Sequence, residues 1–195
     1  MYMDLNCDMG ESYGAYDYGM DREMMPLISS ANIACGFHAG DPRIMRQTVE
    51  LAQAFGVRIG AHIGLPDRLG FGRRYMQLSP GEMYDYTLYQ IGALSAFLRT
   101  GGIALTHVKL HGALYMMACE QKDLAEAYVR AVRSWDPALE IYTLPGSEVA
   151  ASAAEHRLTV VNEYFADRPY AGQHVKMFGW TYEEIGTPEN IGDRV

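Results

Sequence analysis

SPGEMYDYTLYQIGALSAFLRTGGIALTHVKLHG, residues 79–112, is the stretch that decides the fold. Ser79-Pro80-Gly81-Glu82 fits a capping box, in which the serine side chain and the glutamate three residues later satisfy each other's backbone N–H groups. Tyr84, Leu88, Ile91, Leu94, Ser95 and Leu98 then recur on one helical stripe, and Gly101-Gly102 ends it. Ile103 to Val108 is an apolar run of strand length. At its end His107, Lys109 and His111 alternate with apolar residues, so an extended chain puts all three on one face. A helix feeding a strand with polar groups at its carboxyl end is half of a βαβ unit.

Outward from that stretch the pattern repeats. Downstream, residues 123–134 read as a helix with Leu124, Ala127, Tyr128, Ala131 and Val132 inward. Leu139 to Leu144 is a strand, Ser147 opens a helix through about His156, and Leu158 to Tyr164 is the last clear strand. Upstream, residues 57–61 are a buried strand ending at His62. Residues 42–55 are a helix with Asp41 as N-cap, Pro42 in the first turn and Gly56 as stop. Its inward face is Ile44, Met45, Thr48, Val49 and Ala52. Residues 2–6 read as a short first strand. Alternating strands and helices predict an α/β fold with a mostly parallel sheet; periodicity does not choose between a barrel and an open sheet.

The whole chain agrees with this. Its 195 residues suit one domain, and 49% apolar with 21% charged residues is the balance of a folded globular chain. A net charge of -8 argues against binding nucleic acid, which needs clustered Lys and Arg. Cys7, Cys35 and Cys119 are too few and too odd in number for a disulfide framework and read as reduced thiols of a cytoplasmic protein. No basic leader precedes Asp4 and Asp8, and no apolar run approaches the roughly 20 residues of a membrane span.

Four constellations can carry chemistry. Asp4, Asn6 and Asp8 alternate on the first strand, as acid/base or ligand carboxylates, or as capping acids on a solvated edge. Asn32-Ile33-Ala34-Cys35-Gly36-Phe37-His38-Ala39-Gly40-Asp41 sets His38 between glycines that permit positive φ, with Asp41 capping the next helix. His62 is followed by Gly70-Phe71-Gly72-Arg73-Arg74, whose arginines suit a carboxylate or phosphate, or simply a solvated loop. His107, Lys109 and His111 are the most telling, since two imidazoles and an ammonium make a poor core. Lysine beside histidines suits acid, base or oxyanion duty. The spacing matches no zinc motif, so a divalent metal is allowed but not predicted. His156 reads as a surface cation, and His174 is assigned nothing.

Asp4-Leu5-Asn6-Cys7-Asp8-Met9-Gly10-Glu11-Ser12 resembles the opening of the LamB/YcsF family, which supplies the A subunit of the ATP-dependent bacterial 5-oxoprolinase. Ser30 to Pro42 resembles its most distinctive motif. Gly60-Ala61-His62, Gly70 to Arg74, Tyr89 to Leu94, His107-Val108-Lys109, His111 to Tyr115 and Phe165-Ala166-Asp167-Arg168 follow in order. The resemblance implies an irregular (β/α) barrel of the glycoside hydrolase/deacetylase type. It implies a component that opens the lactam ring of 5-oxoproline to L-glutamate, with ATP handled mainly by two further subunits. This chain has no G-x-x-x-x-G-K-[ST] loop of its own. Asp8, His38, His62, His107, Lys109 and His111 are the expected catalytic residues. Of these, Asp8 or His38 is the expected base and Lys109 the donor to an oxyanion or acyl phosphate. Asp4, Asn6, Asn32, Asp41, Arg73, Arg74, Asp167 and Arg168 are the expected substrate-binding residues. Residues 1–170 are expected as one barrel-like domain and 171–195 as its divergent tail. That tail departs from the family's pattern, which predicts a barrel incomplete at its C-terminus. The rival expectations are a stand-alone metal-dependent amidohydrolase and a diverged, non-catalytic role. Assembly into a homo-oligomer is also allowed.

Overall fold

The structure, a computed structural model, describes residues 3–171 and 174–192. The first residue of the expected 2–6 strand, and residues 172–173 and 193–195 of the expected tail, lie outside the described residues. The chain forms two compact units, Met1–Asn162 and Glu163–Val195.

The first unit is built on six parallel strands: β1 (Asn6–Met9), β2 (Ser30–Ala34), β3 (Arg58–Ile63), β4 (His107–Leu110), β5 (Glu140–Thr143) and β6 (Thr159–Asn162). The helices are α1 (Asp21–Met24), α2 (Pro42–Phe55), α3 (Pro80–Gly101), α4 (Gly112–Glu120), α5 (Lys122–Trp135) and α6 (Glu148–Glu155). Strand order follows chain order, β1-β2-β3-β4-β5-β6. In a doubly wound sheet the order reverses at a switch point; here it never does, which is the winding of a (β/α) barrel. Among the described residues β1 pairs only with β2 and β6 only with β5, so the sheet ends in two edges. The fold is therefore α/β and barrel-like, with the ring open.

The predicted helices form where their caps predict. Ser79 and Glu82 make the reciprocal capping box, and Asp41 accepts from the N–H groups of Arg43 and Ile44 at 2.8 and 2.9 Å. Gly56 and Gly102 close α2 and α3 in the left-handed conformation. Ile33, Ile59, Ala61, Ile63, Val108, Leu110 and Ile141 are buried on one side of the strands. Ile91, Leu94 and Leu98 of α3 and Leu124, Tyr128 and Val132 of α5 complete that core.

The strands differ from expectation at several points. β1 starts at Asn6 rather than covering 2–6, because Asp4 spends its carboxylate on the Ser29 and Ser30 hydroxyls (2.6 and 2.7 Å) and the ladder begins after it. β4 starts at His107 rather than Ile103; Ile103 N–H donates to Leu98 O (3.0 Å) and finishes α3 instead. β2 and α4 carry no periodicity to find, since β2 is buried at every position and α4 on most of its surface.

The second unit holds a small antiparallel pair, β7 (Tyr170–Ala171) and β8 (His174–Val175), and two short helices, α7 (Tyr182–Ile185) and α8 (Pro188–Gly192). No helix among the described residues is long and apolar enough to cross a membrane.

Candidate active site

The site grows from the parallel register. Asp8 pairs with Asn32, Asn32 with Gly60, and Gly60 with His107, which makes one row across four strands. Gly60 is the gap in that row. A Cβ there would lie 2.2 Å from the His107 ring, so the missing side chain lets the imidazole reach across β3 to β2. His107 Nε2 donates to Asn32 Oδ1 at 2.9 Å. Asn32 Nδ2 in turn donates to Asn6 Oδ1 (2.7 Å) and Asp8 Oδ1 (2.9 Å). The relay fixes the amide orientation, because Asn32 uses its oxygen and its nitrogen on opposite neighbours. Burial pushes His107 down to about 3, so it is a neutral ring. Tyr142 stacks on it at 4.3 Å.

The next row brings His62 beside Lys109. Lys109 Nζ donates to Asn6 Oδ1 (3.1 Å) and lies 3.2 Å from Asp8 Oδ1. His62 Nε2 lies 3.2 Å from Asp8 Oδ2. Burial opposes ionisation of Asp8, but His62 and Lys109 outweigh it and hold the carboxyl well below the usual range. Asp8 is an ionised acceptor whose side chain is 35% exposed, against 6% for Lys109. Of this ion pair, Asp8 is the more exposed partner.

Behind Asp8 lies a tighter cluster of Glu11, His38, His62 and His111, whose ligand-type atoms all fall within 4.8 Å of one another. His62 Nε2 and His111 Nδ1 are 2.9 Å apart. Glu11 Oε1 lies 3.1 Å from His38 Nε2, 3.6 Å from His111 Nδ1 and 4.0 Å from His62 Nε2. His38 and His111 stack with centroids 3.7 Å apart and planes 4° from parallel. Burial lowers both imidazoles well below their ordinary value. It raises Glu11, as does the nearby Asp8 charge. Gln90 braces the wall, its amide bonded to both the N–H and the C=O of Gly64. A Cβ on Gly64 would meet His38 at 2.2 Å.

The structure thus gathers Asn6, Asp8, Asn32, His38, His62, His107, Lys109 and His111. Other expected residues are engaged elsewhere. Asp4 sits at the amino ends of the strands and accepts from Ser29, Ser30 and Tyr142, which makes it a tie between β1, β2 and β5. Asp41 gives one oxygen to the α2 cap and the other to Gly14 N–H. The paired arginines part company: Arg74 binds Asp67, while Arg73 lies over the Phe71 ring at 5.1 Å and lowers Glu11 by its charge. Asp167 and Arg168 belong to the second unit, where they pair with each other and Arg168 lies over Trp180.

Glu11 is absent from the candidates drawn from the sequence, although it lies in a quoted motif just past the carboxyl end of β1. The rule that sites form at strand ends points to it. Gln90 lies in the quoted stretch Tyr89 to Leu94 but by its periodicity reads as one more polar residue on a helix.

Residues 3–190 match the LamB/YcsF family. Among similar proteins, the A subunit of 5-oxoprolinase from Tolumonas auensis is 57% identical over 168 residues, covering 86% of this chain and 67% of that one. The protein of the same name from Bacillus licheniformis is 54% identical, covering 86% and 66%. The chain thus spans about two thirds of the length of these relatives. The crystal structure of a lactam utilization protein from Thermus thermophilus superposes with a TM-score of 0.85 at 55% identity, covering 87% of this chain and 69% of that one.

Proposed function

Since the chain belongs to the LamB/YcsF family, we propose that it is the lactam-handling component of an ATP-dependent 5-oxoprolinase, opening 5-oxoproline to L-glutamate with other subunits. The observation that carries this reading is the likeness, over 86% of the chain, to relatives named as 5-oxoprolinase subunits. The Asn6–Asp8–Asn32–Lys109 face within that span supports it.

Lactam hydrolysis needs water delivered to a carbonyl carbon and charge stabilised on its oxygen as the C–N bond breaks and the ring nitrogen gains a proton. Asp8 is ionised and more exposed than its partner Lys109, so it orients the water and accepts its proton. His38, the other candidate base, has a fully buried side chain turned to Glu11; it supports Glu11 instead. Lys109 is held by Asn6 and Asp8 and donates to the developing oxyanion. Asn6 and Arg73 contact the substrate amide and carboxylate. His107 is a positioning residue, acting through Asn32. Two carboxylates in the site disfavour a triphosphate, so ATP belongs on two companion subunits. A cytoplasmic location follows from the same reading.

Replacing Lys109 by Met removes the oxyanion donor. In the reconstituted complex, kcat is expected to fall by about 10²–10³, the usual loss for one such donor, while circular dichroism stays that of the parent. Retained kcat would contradict the role.

A further inference from the structure

The Glu11–His62–His111 cluster has ring nitrogens whose protons are already spoken for. His111 Nε2 donates to the Phe71 carbonyl at 2.8 Å, and His62 Nδ1 faces the Lys109 carbonyl at 3.3 Å. A carbonyl can only accept, so each ring carries its proton on the outer nitrogen. With both rings neutral, the inner nitrogens, His62 Nε2 and His111 Nδ1, are bare lone pairs facing each other at 2.9 Å, with Glu11 Oε1 3.6 Å from His111 Nδ1 and Asp8 Oδ2 3.2 Å from His62 Nε2. His62 Nε2, His111 Nδ1 and Glu11 Oε1 are three acceptors converging in a buried place, with the Asp8 carboxylate alongside, and they require a positive centre among them. A single proton between the two imidazoles satisfies one contact and leaves Glu11 aside; a cation satisfies all three.

The spacing fits. Bonds of about 2.0–2.1 Å in a tetrahedral ion put ligand atoms about 3.3 Å apart, and the three separations here are 2.9, 3.6 and 4.0 Å. The rings of His62 and His111 stand at 89°, so one point can lie in both planes. His38 cannot join them, because its ring is parallel to His111 at 3.7 Å and no point lies in both of those planes. It instead bonds Glu11 and stacks on His111, as an outer support. The outer N–H groups pinned to backbone carbonyls are the arrangement that orients metal-bound histidines.

We propose that His62 Nε2, His111 Nδ1 and the Glu11 carboxylate form a binding site for one zinc-class divalent cation, with the fourth position left open on the side of Asp8. Two histidines, one carboxylate and an open position are the donor set of a catalytic rather than a structural ion. The assignment is one of binding and stands apart from the lactam reading.

The test is titration of the metal-stripped chain with cobalt(II), followed by visible absorption, with zinc competition and elemental analysis. The expected result is one equivalent per chain, the strong absorption of a tetrahedral ion, and displacement by zinc. Glu11→Gln, close to isosteric, should weaken binding at least about tenfold. His111→Gln should abolish the spectrum, and His38→Asn should weaken binding but keep the spectrum. The control is His156→Gln, which disrupts a histidine–carboxylate pair with Glu126 outside the cluster. Thermal melts with and without metal add a readout on the unsubstituted chain, whose melting temperature should rise with one equivalent. No binding by the parent chain, or weak binding unchanged in Glu11→Gln and His111→Gln, would overturn the site. Binding without glutamate release in the complex would leave the site standing and sink the lactam reading; release from a metal-free complex with no binding would do the reverse.

Discussion

Asn32 and Gly60 show how much of the site rests on single residues. Asn32 joins His107 to Asp8 only because Gly60, between them in register, has no side chain. Gly60→Ala forces the His107 ring to move and should cost about 1–3 kcal/mol, as overpacking of a filled core does. Urea unfolding of the variant measures this, and unchanged stability would mean the ring does not fill the gap at Gly60. Asp67 gives a pH signature. The Arg74 guanidinium, with the Gly70 N–H, holds its carboxyl at about 2. A carboxyl depressed when folded stabilises above its unfolded value near 3.9 and loses that contribution as pH falls toward about 2. Melting temperature between pH 4 and 2 should therefore fall less steeply in Asp67→Asn than in the parent; parallel curves would contradict the pair.

At the scale of elements, caps are readable in the sequence and burial on all sides is not. Ser79 and Asp41 announce α3 and α2 because capping is local chemistry within a few residues. Ser79→Ala should cost about 1 kcal/mol. Leu94→Ala in the same helix, at a fully buried position, should cost about 2–5 kcal/mol. Denaturant midpoints would rank the two, and the reverse order would show that α3 does not pack through Leu94. β2 is hidden because every position in it is buried, so it lacks the alternation that marks a strand with one wet face. The polar face is legible at His107, Lys109 and His111, where alternation with apolar residues survives. Arg73 and Arg74 mislead as a pair, since neighbouring residues in a turn point different ways and only Arg73 turns toward Glu11.

For the whole molecule, sequential strand order is what makes the site. Parallel strands in sequential order, joined by crossovers of the usual right hand, place the helices on one side, and polar side chains from β1 to β4 meet on the other. Strand-end logic applied to the sequence finds most of that group without fixing the winding, because helix–strand alternation is common to barrels and open sheets. The family resemblance supplies the barrel, and the sequential order agrees with it. Asp4 and Asp41 fall outside the site for one reason: each lies where backbone or hydroxyl donors from neighbouring elements claim its oxygens. The most direct test of the account is glutamate release from 5-oxoproline and ATP by the protein, alone and with the two companion subunits of a related enzyme. Release only with the companions is the expected result. Absence of release in both mixtures, from protein that remains folded, would contradict it.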